Sequence, residues 1–137
     1  MTKRSSPLTE LELEVMKAVW DKDEATVKQV HEVIAERRPI AYTTVLTMVG
    51  ILVRKGHLVR KEAEGRAFLY APVRPKGKVI AEMVDDFVGR VLQGSARALV
   101  VGLLKDRKIS KEDLREIARI ANDVESAGKN GKEAKAR

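Results

Sequence analysis

The 137-residue chain has no cysteine. Disulfide scaffolds, thiolate metal sites and cysteine nucleophiles are thereby excluded, and the composition is compatible with a reducing cytoplasm. Aromatic residues make up only 4% of the chain, and Trp20 is the single tryptophan, so aliphatic side chains must do the packing. No stretch approaches the roughly 18 uninterrupted apolar residues of a membrane span. Met1-Thr2-Lys3-Arg4-Ser5-Ser6-Pro7 has two cations but no apolar run behind it, so a soluble, cytoplasmic, non-exported protein with no direct membrane binding is expected. Catalytic signatures are equally scarce. The sequence has no glycine-rich phosphate loop and no paired His-Glu ligand motif, and His31 and His57 stand alone, which favours structural roles over metal binding. The carboxylates of Asp85-Asp86 point about 100° apart on a helix and are read as solvated or interface groups. Neither an enzyme nor a cofactor or metal is expected.

What the chain does have is basic charge and helical periodicity. Lys and Arg number 27 against 20 Asp and Glu, for a formal charge of +7. The pI near 9.8 favours polyanionic partners, nucleic acid first among them. Most of the excess is local. Between Arg54 and Lys78 stand eight Lys or Arg and two Glu, a net of +6.

Thr9-Glu10-Leu11-Glu12 is a capping box that opens a first helix to about Trp20, burying Leu11, Val15, Val19 and Trp20. Thr26-Val27-Lys28-Gln29 repeats the device for a second helix carrying Val27, Val30, Val33 and Ile34, which Pro39 ends. In the third, Val45, Met48, Val49 and Leu52 fall at i, i+3, i+4 and i+7 and define a buried face. Thr43, Thr47, Gly50 and Arg54 lie opposite. Gly56 occupies the position of a left-handed C′ residue, and two β-prone runs around Gly65 form a basic hairpin. The fold class is therefore mainly α, with a winged helix-turn-helix over residues 1–74 made of three helices and a small β-hairpin wing.

Beyond the breaker-rich junction Arg74-Pro75-Lys76-Gly77-Lys78, long apolar stripes mark three further helices over residues 75–126. Val84, Phe87, Val88, Val91, Leu92, Leu99, Leu103, Leu104, Ile117 and Ile120 are expected to form a dimer interface, because helices of this size have too little surface of their own to cover those stripes. Packing back onto the winged helix is the competing arrangement. Residues 127–137 carry cations, two glycines and no apolar period, and are expected to be disordered.

The DNA major groove is about 12 Å wide and accepts one helix. In a docked third helix, Thr43, Thr44 and Thr47 are the candidate base-edge or phosphate contacts and Tyr42 a phosphate contact. Arg54, Lys55, Arg60, Lys61 and Arg66 are candidate backbone contacts, with Arg66 at the hairpin tip near the minor groove. Two other readings use the same features. A protein-interaction module would dock a different protein through residues 79–122, and a general nucleoid protein would need only the basic stretch.

Over residues 8 to 122 the chain resembles the penicillinase-repressor family of bacterial transcription regulators, the BlaI/MecI/CopY type. The resemblance is carried by Leu8-Thr9-Glu10-Leu11-Glu12-Leu13-Glu14-Val15-Met16 with Trp20, by Ala41-Tyr42-Thr43-Thr44-Val45, and by Arg54-Lys55-Gly56. Glu64-Gly65-Arg66-Ala67-Phe68-Leu69-Tyr70, Gly94-Ser95 and Ser110-Lys111-Glu112-Asp113-Leu114 follow in the same order. It implies an N-terminal winged helix, a C-terminal dimerisation region, and a homodimer that represses promoters by covering a palindromic operator. In the β-lactam-responsive members a membrane sensor-protease signals for cleavage within the dimerisation helices, commonly at an Asn-Phe bond; the matching position here is Gly102-Leu103. The copper-responsive members bind metal through C-terminal cysteines, which this chain lacks. The β-lactamase-type repressors tend to carry basic residues where this chain has Thr43 and Leu46.

Overall fold

A computed structural model describes residues 7–63, 65 and 67–136. The order of elements is α1 (Glu10–Lys22), α2 (Val27–Ala35), α3 (Tyr42–Arg54), β1 (Leu58–Glu62), β2 (Phe68–Pro72), α4 (Lys76–Val91), α5 (Ala96–Lys105) and α6 (Lys111–Ala136). The chain divides into two compact units, one up to Asp85 and one from Asp86 onward. The division thus falls inside α4 rather than at the 74/75 junction. The cause is local. Val79 on the first turns of α4 is buried, the Arg74 guanidinium pairs with Glu82, and Trp20 Nε1 donates to the Arg74 carbonyl at 3.1 Å.

Both expected capping boxes are formed. Thr9 Oγ1 accepts from Glu12 N at 3.2 Å while Glu12 Oε1 accepts from Thr9 N, and Thr26 and Gln29 exchange the same pair of bonds. Two otherwise orphaned N–H groups are satisfied at each helix start. The core of the first unit is aliphatic: Val15, Met16, Val19, Val30, Ile34, Val45, Val49 and Leu52 are all buried. Helix α2 stops at Ala35, four residues before Pro39, in a turn where Arg37 N and Arg38 N both donate to the Ile34 carbonyl.

Helix α3 ends as its sequence dictates. Gly56 takes φ +84°, its N–H donates to Val53 O, and His57 N donates to Leu52 O at 2.9 Å, which together make a Schellman motif. The chain reverses there into the wing, where β1 and β2 pair antiparallel with Arg60 opposite Tyr70 and Lys61 opposite Leu69. Ala25, just before α2, bridges Tyr70 through two backbone bonds of 3.0 and 2.9 Å. The root of the wing is thereby fastened to the helix-turn-helix.

In the second unit, Gly94 (φ +86°) precedes Ser95, whose hydroxyl caps α5 by accepting from Ala98 N. Ser110 does the same for α6 at Asp113 N. No residue of α5 is buried, and Phe87, Val91, Val100, Leu104, Ile117, Ile120 and Val124 are exposed large apolar side chains. Helix α6 runs on to Ala136, past residue 126, where the pattern was expected to give way to a disordered tail. Ala127, Ala134, Ala136 and the intervening Lys and Glu are strong helix formers that outweigh Gly128 and Gly131. Among the described residues no single helix is long and apolar enough to cross a membrane.

Candidate nucleic-acid interface

The face of α3 opposite the core is assembled as its spacing demands. Val45, Val49 and Leu52 point inward and are fully buried, so Thr43, Thr47, Gly50 and Arg54 are all exposed. Nothing lies within 4 Å of where a Gly50 Cβ would stand, leaving the backbone open to close approach. Thr44 is half-buried on the flank. Thr47 Oγ1 donates to the Thr43 carbonyl at 2.9 Å. Its hydroxyl hydrogen is spent within the helix, and outward it presents a lone pair and a methyl group.

The start of α3 differs from the helices around it. Threonine or serine side chains cap α1, α2, α5 and α6, whereas the N-cap residue of α3 is Ala41, which makes no side-chain cap bond. Its first N–H groups and the positive end of its dipole are thus presented outward. Tyr42 beside it is 45% exposed and meets the His31 ring edge-on, with centroids 5.8 Å apart. His31 Nε2 lies 2.8 Å from the Ile40 carbonyl, so this histidine braces the turn between α2 and α3.

The expected basic contacts divide. Arg54 is exposed at the end of the α3 strip. Arg60 on the wing is exposed, with its guanidinium 4.3 Å from the Phe68 ring centroid, a stacking that holds the cation in place while leaving its edges free. Lys61 is half exposed and pairs with Glu24 at 2.7 Å; such a surface pair contributes only about 0–1 kcal/mol. Lys55 is a correction to the sequence reading. Its ammonium reaches back to α1 and is 2.9 Å from both oxygens of the buried Glu12, so it serves the core boundary and not the outer face. Arg66 lies outside the described residues.

Burial alone would push the Glu12 carboxyl up, but the bonds from Lys55 and Thr9 outweigh it and hold the pKa below the usual 4.5. Sequence reasoning missed this pair because Glu12 reads as an N3 capping residue and Lys55 as one more wing cation. It also missed the first turn of α2, where Thr26, Lys28 and Gln29 line a groove shared with Tyr42, Leu46, Phe68 and Tyr70. The Thr26 box, which fixes where α2 starts, was the available signal.

The penicillinase repressor family model matches residues 8–123. This chain belongs to the penicillinase repressor family. It is 41% identical over 96 residues to the transcriptional regulator BlaI of Mycobacterium tuberculosis (strain H37Rv), covering 69% of each chain. To the penicillinase repressor of Bacillus licheniformis it is 26% identical over 121 residues, covering 88% of this chain and 94% of that one. Among solved structures, that of the hsRosR-S1 complex aligns with a TM-score of 0.54 over 91% of this chain and 98% of that chain. At 12% identity this likeness is one of fold alone.

Proposed function

We propose that this penicillinase repressor family member is a cytoplasmic homodimeric transcriptional repressor that works by covering a palindromic operator in double-stranded DNA, with no catalytic step of its own. The observation that carries the reading is the outer face of α3. Thr43, Thr47, Gly50 and Arg54 form one exposed strip, the helix N-terminus above it has no side-chain cap, and Arg60 stands ready on the wing. Threonines at base edges and Arg54, Arg60 and Lys61 on phosphates divide the work between discrimination and positioning.

Dimerisation is supported by the second unit. Phe87, Val91, Val100, Leu104, Ile117 and Ile120 are each between 38% and 56% exposed, and a symmetric pairing of two copies would cover such side chains. The test is footprinting with the full chain: two half-sites about one helical turn apart are expected, with log affinity falling steeply against log salt. Sedimentation should give a stable dimer. A monomer that associates only with a different protein would favour the interaction-module reading through residues 79–122.

Release by proteolysis, through a membrane sensor-protease pathway, is the proposed means of induction, at the Gly102-Leu103 bond in α5. Gly102 is exposed, and a mid-helix glycine weakens its turn by about 1 kcal/mol relative to alanine, easing the unwinding a protease needs. Mass spectrometry on cells treated with cell-wall antibiotics should find fragments ending at Gly102; only intact chain during induction of target genes would remove this route.

A further inference from the structure

We propose that Leu46 is a sequence-reading residue, its isobutyl group receiving the C5-methyl of a thymine in the major groove. The proposal rests on the DNA-binding reading above and adds the base chemistry. Leu46 is 46% exposed in the middle of α3. At 100° per residue it sits between the buried Val45 and Val49 and the outer strip of Thr43 and Gly50. It therefore faces the groove between α3, the start of α2 and the wing, where Tyr42 and Phe68 are the other large exposed apolar walls and Thr26, Lys28, Gln29 and Glu32 the polar rim. Tyr42 and Phe68 are exposed to 45% and 42%, so three large apolar groups look into one groove.

The chemistry of the groove selects its occupant. Its walls are largely apolar and its rim carries one charge of each sign, Lys28 and Glu32, while the uncapped start of α3 and the exposed Arg60 guanidinium, stacked on Phe68, add positive charge beside it. A matching ligand is anionic along its edges and apolar at a point. Duplex DNA offers that combination, because phosphates flank the major groove and thymine alone among the four bases presents a methyl group there. A carbonyl or amino base edge would gain nothing from an isobutyl neighbour and would lose a hydrogen-bonding water.

The experiment uses the full-length protein and a duplex selected by it from a random pool. Each thymine is replaced in turn by deoxyuridine, which deletes the methyl and leaves the hydrogen-bonding edge intact. At one or more thymines in each half-site the wild type should bind about 4-fold more weakly, the worth of one buried methyl. The Leu46→Ala variant should be indifferent to the same replacement, while Leu46→Met should retain sensitivity. Because Leu46 is exposed and alanine is the better helix former, an unchanged circular dichroism spectrum is expected for the variant. Equal sensitivity of wild type and Leu46→Ala, or no sensitive thymine at all, overturns the assignment while leaving the DNA-binding reading intact. Failure to enrich any duplex overturns both.

Discussion

Replacing Lys55 with Met should destabilise the winged-helix unit by about 3 kcal/mol, whereas replacing Glu12 with Gln should cost only about 1 kcal/mol. The asymmetry follows from burial. The Glu12 side chain is 3% exposed and that of Lys55 27%. Removing Lys55 strands a buried carboxylate without its cation, left with its bonds to Thr9, of which that from Thr9 N is 3.3 Å. Removing the carboxylate charge leaves an ammonium that can turn outward, and Gln at this position still completes the capping box. The double variant should cost less than the two single costs added, as contacting residues do. Trp20 is the only tryptophan and belongs to the first unit, so its fluorescence during urea unfolding, at one fixed protein concentration, reports on that unit.

Acid supplies an independent check. The folded pKa of Glu12 lies below the usual 4.5, so its stabilising contribution is present above that value and lost as pH falls through the lower folded pKa. Without Lys55 the carboxyl keeps the burial that raises its pKa and loses the partner that lowers it, so its folded pKa moves up from the wild-type position. The gap between wild type and Lys55→Met should therefore narrow as pH falls through the wild-type folded value, which lies below 4.5. Equal costs for the two single variants, or a gap that does not change with pH, would refute a paired buried carboxylate. An unchanged salt slope of DNA binding in Lys55→Met would separate this role from phosphate contact.

Gly50→Ala should raise stability by about 0.5–1 kcal/mol, since the added Cβ meets nothing in the free protein, yet weaken DNA binding; improved stability with unchanged affinity would place DNA elsewhere. Thr47→Ala should alter discrimination among operator variants by about 1–3 kcal/mol, while Lys61→Ala should weaken all sequences alike and reduce the salt slope by about 1, both read by competition binding. Leu104→Glu should shift sedimentation from dimer to monomer and abolish occupancy of paired half-sites, with the circular dichroism spectrum little changed. Gly56→Ala should destabilise the first unit by about 1 kcal/mol, because its φ of +84° disfavours any side chain, measured again through Trp20.

The winged-helix unit was legible in the sequence where local chemistry sets geometry. Thr9 with Glu12, Thr26 with Gln29, and Gly56 announce their elements within four residues, and the period of Val45, Val49 and Leu52 fixes which side of α3 faces out. Long-range pairings were not legible. Lys55 meets Glu12 across 43 positions, and the wing is tied to Ala25 by backbone bonds that no side chain betrays. The same holds for α4, whose first turns belong with the preceding unit because Val79 finds a buried place there and Glu82 pairs with Arg74. Helix α6 outran its apolar period because alanine and charged helix formers sustain helical backbone without a face to bury.

Helix α3 is entered through Ala41, which has no hydroxyl to close its first turn. On the proposed reading the omission is a form of readiness: the turn that would meet the duplex is left incomplete by its own chain, and a phosphate oxygen would complete it. Order at that turn then becomes a property of the complex, so slowed amide exchange at Tyr42 and Thr43 would accompany occupancy. A serine or aspartate at position 41 would finish the helix in advance, making the free repressor firmer and its grip on the operator weaker.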